Sequence, residues 1–165
     1  MTRNDVRQLL EFTRKRTTDW FDALAKRPDA AAALGWRPGP GRAHIGWQLM
    51  HIAATDDRHL GVRMKGGEPA NPEYVRRFAG GSTPDEQVPK IDEIRHYLAE
   101  RRAAMLDHLA SLTDADLPKK PNEQAPWPYE TWFQVLVCHE AHHQGQAHLT
   151  LNLYKAAHGE GAPHG

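Results

Sequence analysis

The sequence predicts an all-α protein, a four-helix bundle with a long crossover between helices 2 and 3. Three observations lead to this fold class. Apolar residues recur at spacings of three and four through four separate segments, no segment carries a convincing strand pattern, and Gly- and Pro-rich stretches separate the four. At 165 residues the chain has the length of one domain, long enough to bury a core without disulfide or metal staples.

Helix 1 covers roughly residues 4–27, where Val6, Leu9, Leu10, Thr13, Thr17, Trp20, Phe21 and Leu24 form one face. It stops before Pro28, and Gly35, Pro38, Gly39, Pro40 and Gly41 make the next stretch an irregular connection. Helix 2 runs from about Arg42 to Met64 with Ile45, Trp47, Leu49, Ile52, Ala53 and Leu60 on a less clean apolar face, and ends at Gly66-Gly67. From Gly66 to about Pro89, prolines, a Gly-Gly pair and the segment STPDE, read as a capped single turn, form the crossover. A connection of about 20 residues exceeds what adjacent antiparallel helices need, and allows two successive helices to run parallel. Helix 3 holds Ile91, Ile94, Leu98, Met105, Leu109 and Leu112, and the loop KKPNEQAPWP follows it. Helix 4 starts near Pro128, a favoured first-turn residue, and continues to about Tyr154. One domain therefore spans residues 1–157, and HGEGAPHG at 158–165 reads as a flexible tail. No internal repeat points to a solenoid.

The 21 basic residues balance the 21 acidic ones, so no long-range field recruits nucleic acid or an anionic membrane surface. The N-terminus is too polar for a signal peptide and no apolar run approaches the ~20 residues that span a bilayer. A single cysteine, Cys138, fits a reducing compartment, and the expected location is cytoplasmic. Cys138 itself is expected to be a buried structural thiol.

The abnormal number is 11 histidines. Imidazole is the commonest protein ligand for zinc, nickel and iron, so the excess calls for a metal site. On helix 4 the stripe reads Trp132, Leu136, His139, His143, Ala147, Thr150, Tyr154, which puts two histidines where the period requires core residues. A buried imidazole needs partners for both nitrogens, and a metal on one with a hydrogen bond on the other supplies them. Residues one turn apart stand about 5–6 Å apart at Cβ, which lets both rings reach one ion. A third ligand must come from another helix: His44, His51 and His59 on helix 2 and His96 and His108 on helix 3 are the candidates, and on helix 2 His51 sits in the middle, able to face the middle of helix 4, whereas His44 and His59 lie toward the ends. His142, three residues after His139, competes with His143 on spacing alone. The bland alternative is that the histidines are structural and the bundle only dimerises.

His139 to His143 also satisfies H-E-x-x-H, the zinc-protease helix with Glu140 as base, but the extended form needs Gly at 146 and His at 149, where this chain has Gln146 and Leu149. Glu140 points about 100° from His139 and should meet another helix or solvent. Trp47 and Trp132 could wall a pocket but suit core packing by their spacing, and Asp56, Asp57 and Arg58 could reach the pocket mouth, with solvation at the surface as the default expectation.

The blocks HIGWQLMHIAATDDRHL and HEAHHQGQAHLTLNLY together resemble the DinB-like superfamily, which includes the YfiT-type metal-dependent hydrolases, over roughly residues 4–156. The resemblance implies an up-down-down-up bundle and a metal held by His51, His139 and His143, with Gly145 and Gln146 completing the H-x-x-x-H-x-G-Q element; it is what favours His143 over His142. It further implies the chemistry of superfamily members, among them thiol S-transferases that use bacillithiol or mycothiol and a mycothiol-dependent isomerase.

Three neutral imidazoles leave coordination positions open, where a divalent metal lowers the pKa of water to about 7 or presents a thiol as thiolate. The expectation is a metal-dependent enzyme acting on small molecules, through thiol S-transferase-like or hydrolase-like chemistry. The cofactor is zinc or nickel, with iron as a further option, and the partners are a small-molecule substrate, in particular a low-molecular-weight thiol, and a second copy in a homodimer. The competing expectation is a non-catalytic metal- or ligand-binding stress-response module.

Overall fold

The computed structural model describes residues 1–160, which are all-helical with no strand among them. In chain order the elements are α1 (Arg3–Ala25), α2 (Ala30–Gly35), α3 (Ile45–Arg58) with a π-helical extension (His59–Met64), α4 (Pro72–Arg77), α5 (Ile91–Ser111), a 3-10 turn (Asp114–Asp116) and α6 (Tyr129–Ala157). Two short helices thus interrupt segments read as irregular. The run Ala30–Ala33 has the best helix former at every position and buries Ala30, Ala33 and Leu34. In the crossover the helical turn is Pro72–Arg77, with Pro72 at its start and the Asn71 side chain accepting from Tyr74 N–H at 3.0 Å. STPDE is not helical; Asp85 instead pairs with Arg77 at 2.8 Å.

Helix 2 of the sequence reading begins three residues later than expected, because His44 is its cap: the ring Nδ1 accepts from Trp47 N–H at 3.0 Å. Past Arg58 the helix widens to i→i−5 bonding, with Lys65 N–H on the Leu60 carbonyl at 3.0 Å. Gly61 explains the widening. A Cβ there would lie 2.4 Å from the Glu68 carbonyl oxygen, so the returning chain packs directly on the helix backbone. The less clean apolar face of α3 also has a reason, since every residue from Ile45 to Ala54 is buried, between α2, α4, α5 and α6.

α3 packs on α5 and α6, and α1 packs on the same two helices. The interior divides into two apolar clusters. One joins Phe21 and Leu24 to Ile45, Leu49 and Ile52, to Ile94 and Leu98, and to Ala147, Leu151 and Tyr154. The other joins Val6 and Leu10 to Leu60 and Met64, to Met105 and Leu109, and to Trp132, Phe133 and Leu136. Between them lie four charges, one from each long helix. Arg14 of α1 donates to Glu140 of α6 at 2.7 Å and to Asp56 of α3 at 3.0 Å, and Arg102 of α5 donates to the same two carboxylates. Glu140 is 1% and Asp56 2% exposed, so neither has water to fall back on. The guanidiniums spend their remaining N–H groups on the Leu98 and Leu10 carbonyls, the latter at 2.8 Å. Burial opposes the charge of Arg14, but Glu140 and Asp56 more than offset it, and its pKa lies above the ordinary value. Asp56 and Asp57 are accordingly not surface groups. Asp57 accepts from Tyr97 at 2.9 Å, Arg101 at 3.1 Å and the Ala70 and Asn71 N–H groups at 2.9 and 2.8 Å, which ties the crossover to α3 and α5.

At the far end, residues 158–160 are attached to the bundle: Glu160 pairs with Arg27 at 2.5 Å and the His158 Nδ1–H donates to the Tyr154 carbonyl at 2.7 Å. The rest of the expected tail, with His164, lies outside the described residues. No helix among those described is long and apolar enough to cross a membrane.

Removing one member of a buried ion network leaves its partners charged and unpaired, at a cost of about 3–5 kcal/mol. Glu140→Ala should lower the stability from urea unfolding by that amount, whereas Asp19→Ala, which breaks the exposed pair with Lys15, should leave the urea midpoint in place. Gly61→Ala should cost about 1–3 kcal/mol through the Glu68 contact; an unchanged midpoint in that variant would show that the crossover is not pressed on the helix.

Candidate metal centre

Two helices and one loop carbonyl build the site. His51 stands mid-α3, and His139 and His143 stand one turn apart on α6, which packs against it. Their ring centroids are 4.8 Å (His51 to His139), 4.5 Å (His51 to His143) and 4.5 Å (His139 to His143) apart. One nitrogen from each ring lies within 4.8 Å of those of the other two. The three are the only such group of histidine, cysteine and carboxylate side chains among the described residues.

The orientation of His51 is set from two sides. Its ring stacks on the Trp47 indole at 4.8 Å and 12°, and Nδ1 lies 2.5 Å from the Phe78 carbonyl oxygen. A carbonyl only accepts, so Nδ1 carries the proton and the neutral ring keeps its lone pair on Nε2. That Nε2 faces His139 Nε2 at 3.0 Å, and the Thr55 hydroxyl, one turn beyond His51, is 3.4 Å from the same His139 nitrogen. The His143 Nδ1 is buried with no protein partner.

Burial dominates the electrostatics. It lowers the pKa of all three rings; His139 is pushed down to about 3 by burial and then by His143 and His51, and His143 to about 4 by burial and then by His51. The rings are therefore neutral at physiological pH, the form in which imidazole binds a metal. Three imidazoles with no carboxylate among them form a donor set that fits a divalent transition metal rather than magnesium or calcium.

The remaining histidine candidates have other places. His44 caps α3. His59 donates through Nδ1 to the Thr55 carbonyl at 2.8 Å and packs its edge against Trp132 at 5.1 Å. His96 is exposed, 3.7 Å from Glu100, and His108 lies on Tyr129 at 5.7 Å. His142 is also exposed, with Nε2 2.8 Å from the Gln146 amide, so His143 and not His142 joins the cluster. Glu140 meets α1 and α5 through two arginines, which leaves it no part in the zinc-protease arrangement. Cys138, expected buried, is exposed on the outer side of α6. Gly145 faces open space, since a Cβ there would meet nothing within 4 Å, and no close helix approach within the chain accounts for it.

Two contributors escaped the sequence reading. The Phe78 carbonyl carries no side-chain signal. Thr55 had one, because i+4 from a mid-helix histidine places its hydroxyl on the same face.

All three pKa values lie below the ordinary 6.5 of an unfolded chain, so the unfolded state binds more protons between the two. The metal-free protein should hold its full stability above pH 6.5 and lose it as the pH falls toward 4, with a smaller loss in His143→Gln. Urea midpoints between pH 7.5 and 4 test this, and equal slopes for the two proteins would mean that the ring is not buried in its neutral form.

A family model described as the DinB superfamily matches residues 9–147, which include all three histidines. No curated protein matches the chain.

Proposed function

The chain belongs to the DinB superfamily, and we propose that it is a metal-dependent enzyme acting on small molecules, with His51, His139 and His143 as the ligands of a divalent metal such as zinc or nickel. The convergence of three neutral imidazoles at one point carries this reading. A bound divalent ion with open positions supplies Lewis acidity toward a coordinated water or thiol.

The surroundings favour a thiol. Hydrolysis calls for a free carboxylate or other base to take a proton from the water, whose pKa a metal brings only to about 7, whereas a coordinated thiol is deprotonated outright. The acidic side chains nearest in sequence to the three histidines are all committed: Asp56 and Glu140 to the buried arginines, Asp57 to Arg101, Tyr97 and the crossover backbone. A low-molecular-weight thiol needs less help to ionise, so thiol transfer to an electrophile suits these residues better than hydrolysis. In that chemistry the Phe78 carbonyl and Trp47 hold His51 in the tautomer that presents Nε2, and the Thr55 hydroxyl is placed to orient His139. The up-down-down-up order belongs to the same proposal. It is supported by the composition of the two apolar clusters, which bring the first turns of α1 and α6 together with the last turns of α3 and α5.

Metal content measured by elemental analysis of untagged protein tests the ligands. About one equivalent is expected in the wild type and in His142→Ala, and none in His51→Ala, His139→Ala and His143→Ala with helical content unchanged by circular dichroism. Metal retained in His51→Ala would overturn the three-histidine assignment. The loaded wild type should also conjugate a thiol to 1-chloro-2,4-dinitrobenzene with release of chloride, and the three variants should not; a loaded protein inert toward every thiol and electrophile tried would favour the non-catalytic module.

A further inference from the structure

Past the first turn of the long helices stand five threonines, Thr13, Thr17, Thr18, Thr55 and Thr150. Four of them donate to the carbonyl four residues back: Thr13 at 3.0 Å, Thr17 at 3.1 Å, Thr18 at 2.9 Å and Thr150 at 2.9 Å. A helical hydroxyl with no better partner goes there. Thr55 does not. Its hydroxyl makes no bond to the His51 carbonyl, and the one polar atom it meets among the described residues is His139 Nε2 on α6, at 3.4 Å.

That nitrogen is the one turned to the centre of the cluster, since it faces His51 Nε2 at 3.0 Å. His51 Nε2 carries no proton, because Nδ1 keeps the proton of the neutral ring and donates it to the Phe78 carbonyl. In the metal-free protein the proton between the two rings therefore belongs to His139 Nε2, and the Thr55 oxygen can share it only as an acceptor. With an ion bound, the same nitrogen gives its lone pair to the metal. In neither state does it accept from Thr55. The hydroxyl proton thus has no taker within the chain, although the hydroxyl stands beside an atom that fixes where an ion sits. Its neighbours are committed elsewhere: His59 gives its Nδ1–H to the Thr55 carbonyl, and His142 is paired with Gln146.

We infer that the Thr55 hydroxyl donates a hydrogen bond to the exogenous atom that completes the coordination of the ion, and so selects what binds there. It favours ligands whose coordinating atom keeps a further lone pair, such as an oxygen or sulfur anion or azide. Imidazole gains nothing from it, because the single lone pair of its coordinating nitrogen is spent on the metal. The inference rests on the metal-enzyme reading above and gives Thr55 a part in selection separate from holding His139. A hydrogen bond to an anion is roughly twice as strong as one between neutral groups, which makes the preference measurable.

Cobalt(II) in place of zinc makes the centre visible, and its absorption bands report ligand binding without turnover. Azide and imidazole are titrated into cobalt-loaded wild type, Thr55→Val and Thr55→Ser, all with unchanged circular dichroism, and cobalt affinity is measured in parallel by competition with a chelator. Valine keeps the shape and removes the hydroxyl; serine restores it. Cobalt affinity should agree within threefold across the three proteins. Azide should bind at least tenfold more weakly to Thr55→Val and return to within threefold of wild type in Thr55→Ser, while imidazole binds all three alike. Unchanged azide affinity in Thr55→Val, or equal weakening of azide and imidazole, would overturn the assignment. So would a fall in cobalt affinity with azide binding by the loaded protein intact, which would leave Thr55 as a support for His139 alone. A wild type that takes up no cobalt would instead remove the metal reading, and the assignment with it.

Discussion

Burying four full charges between two apolar clusters is tolerable only if every donor and acceptor among them is met, and Arg14, Asp56, Arg102 and Glu140 meet that condition only with all four long helices in place. The consequences reach the metal centre. Glu140 follows His139 directly, so the register of α6 that seats this carboxylate between two arginines also decides which way the histidine rings point. Asp56 does the same for α3, five residues after His51. The charges thus act as a registry pin for the two helices whose meeting creates the site.

Much of this was legible in the amino-acid pattern. The four long helices follow from spacing, and two histidines standing on helix 4 where core residues belong mark the site; the resemblance to the DinB-like superfamily is what selects His51 and His143 to go with His139. What the pattern hid has a common physical cause. Arg14, Arg102, Asp56 and Glu140 are residue types normally found in water, so a reading by hydrophobic period passes over them; each fills a gap in its own apolar stripe, as Arg102 does between Leu98 and Met105. The charge balance over the whole chain gave no hint, since a neutral total does not reveal that some of its members are paired in the interior. Leu9, by contrast, was counted with the buried face of α1 and is exposed, because Arg14 pulls the true face toward Val6 and Leu10.

The short helices were missed for a different reason. Proline and glycine mark where a chain leaves a helix, but not whether it makes another turn before the next one. α2 forms because alanines cover Trp36 and the end of α1, and α4 because Asp57 holds the backbone that leads into it. Both depend on partners distant in sequence. The crossover is for that reason part of the site: it delivers the carbonyl that orients His51.

That carbonyl belongs to the backbone of Phe78, and every amino acid would offer the same atom in its place. Substitutions at position 78 can therefore drift, within the limits of core packing, without taking the oxygen away from His51, and a comparison of side chains across related sequences would not register the contact at all. The length of the crossover is another matter. Adding or deleting one residue between the backbone that Asp57 holds at Ala70 and Asn71 and Phe78 itself would move the oxygen by up to the span of a peptide unit, about 3.8 Å, so selection on this part of the site should act on segment length rather than on residue identity.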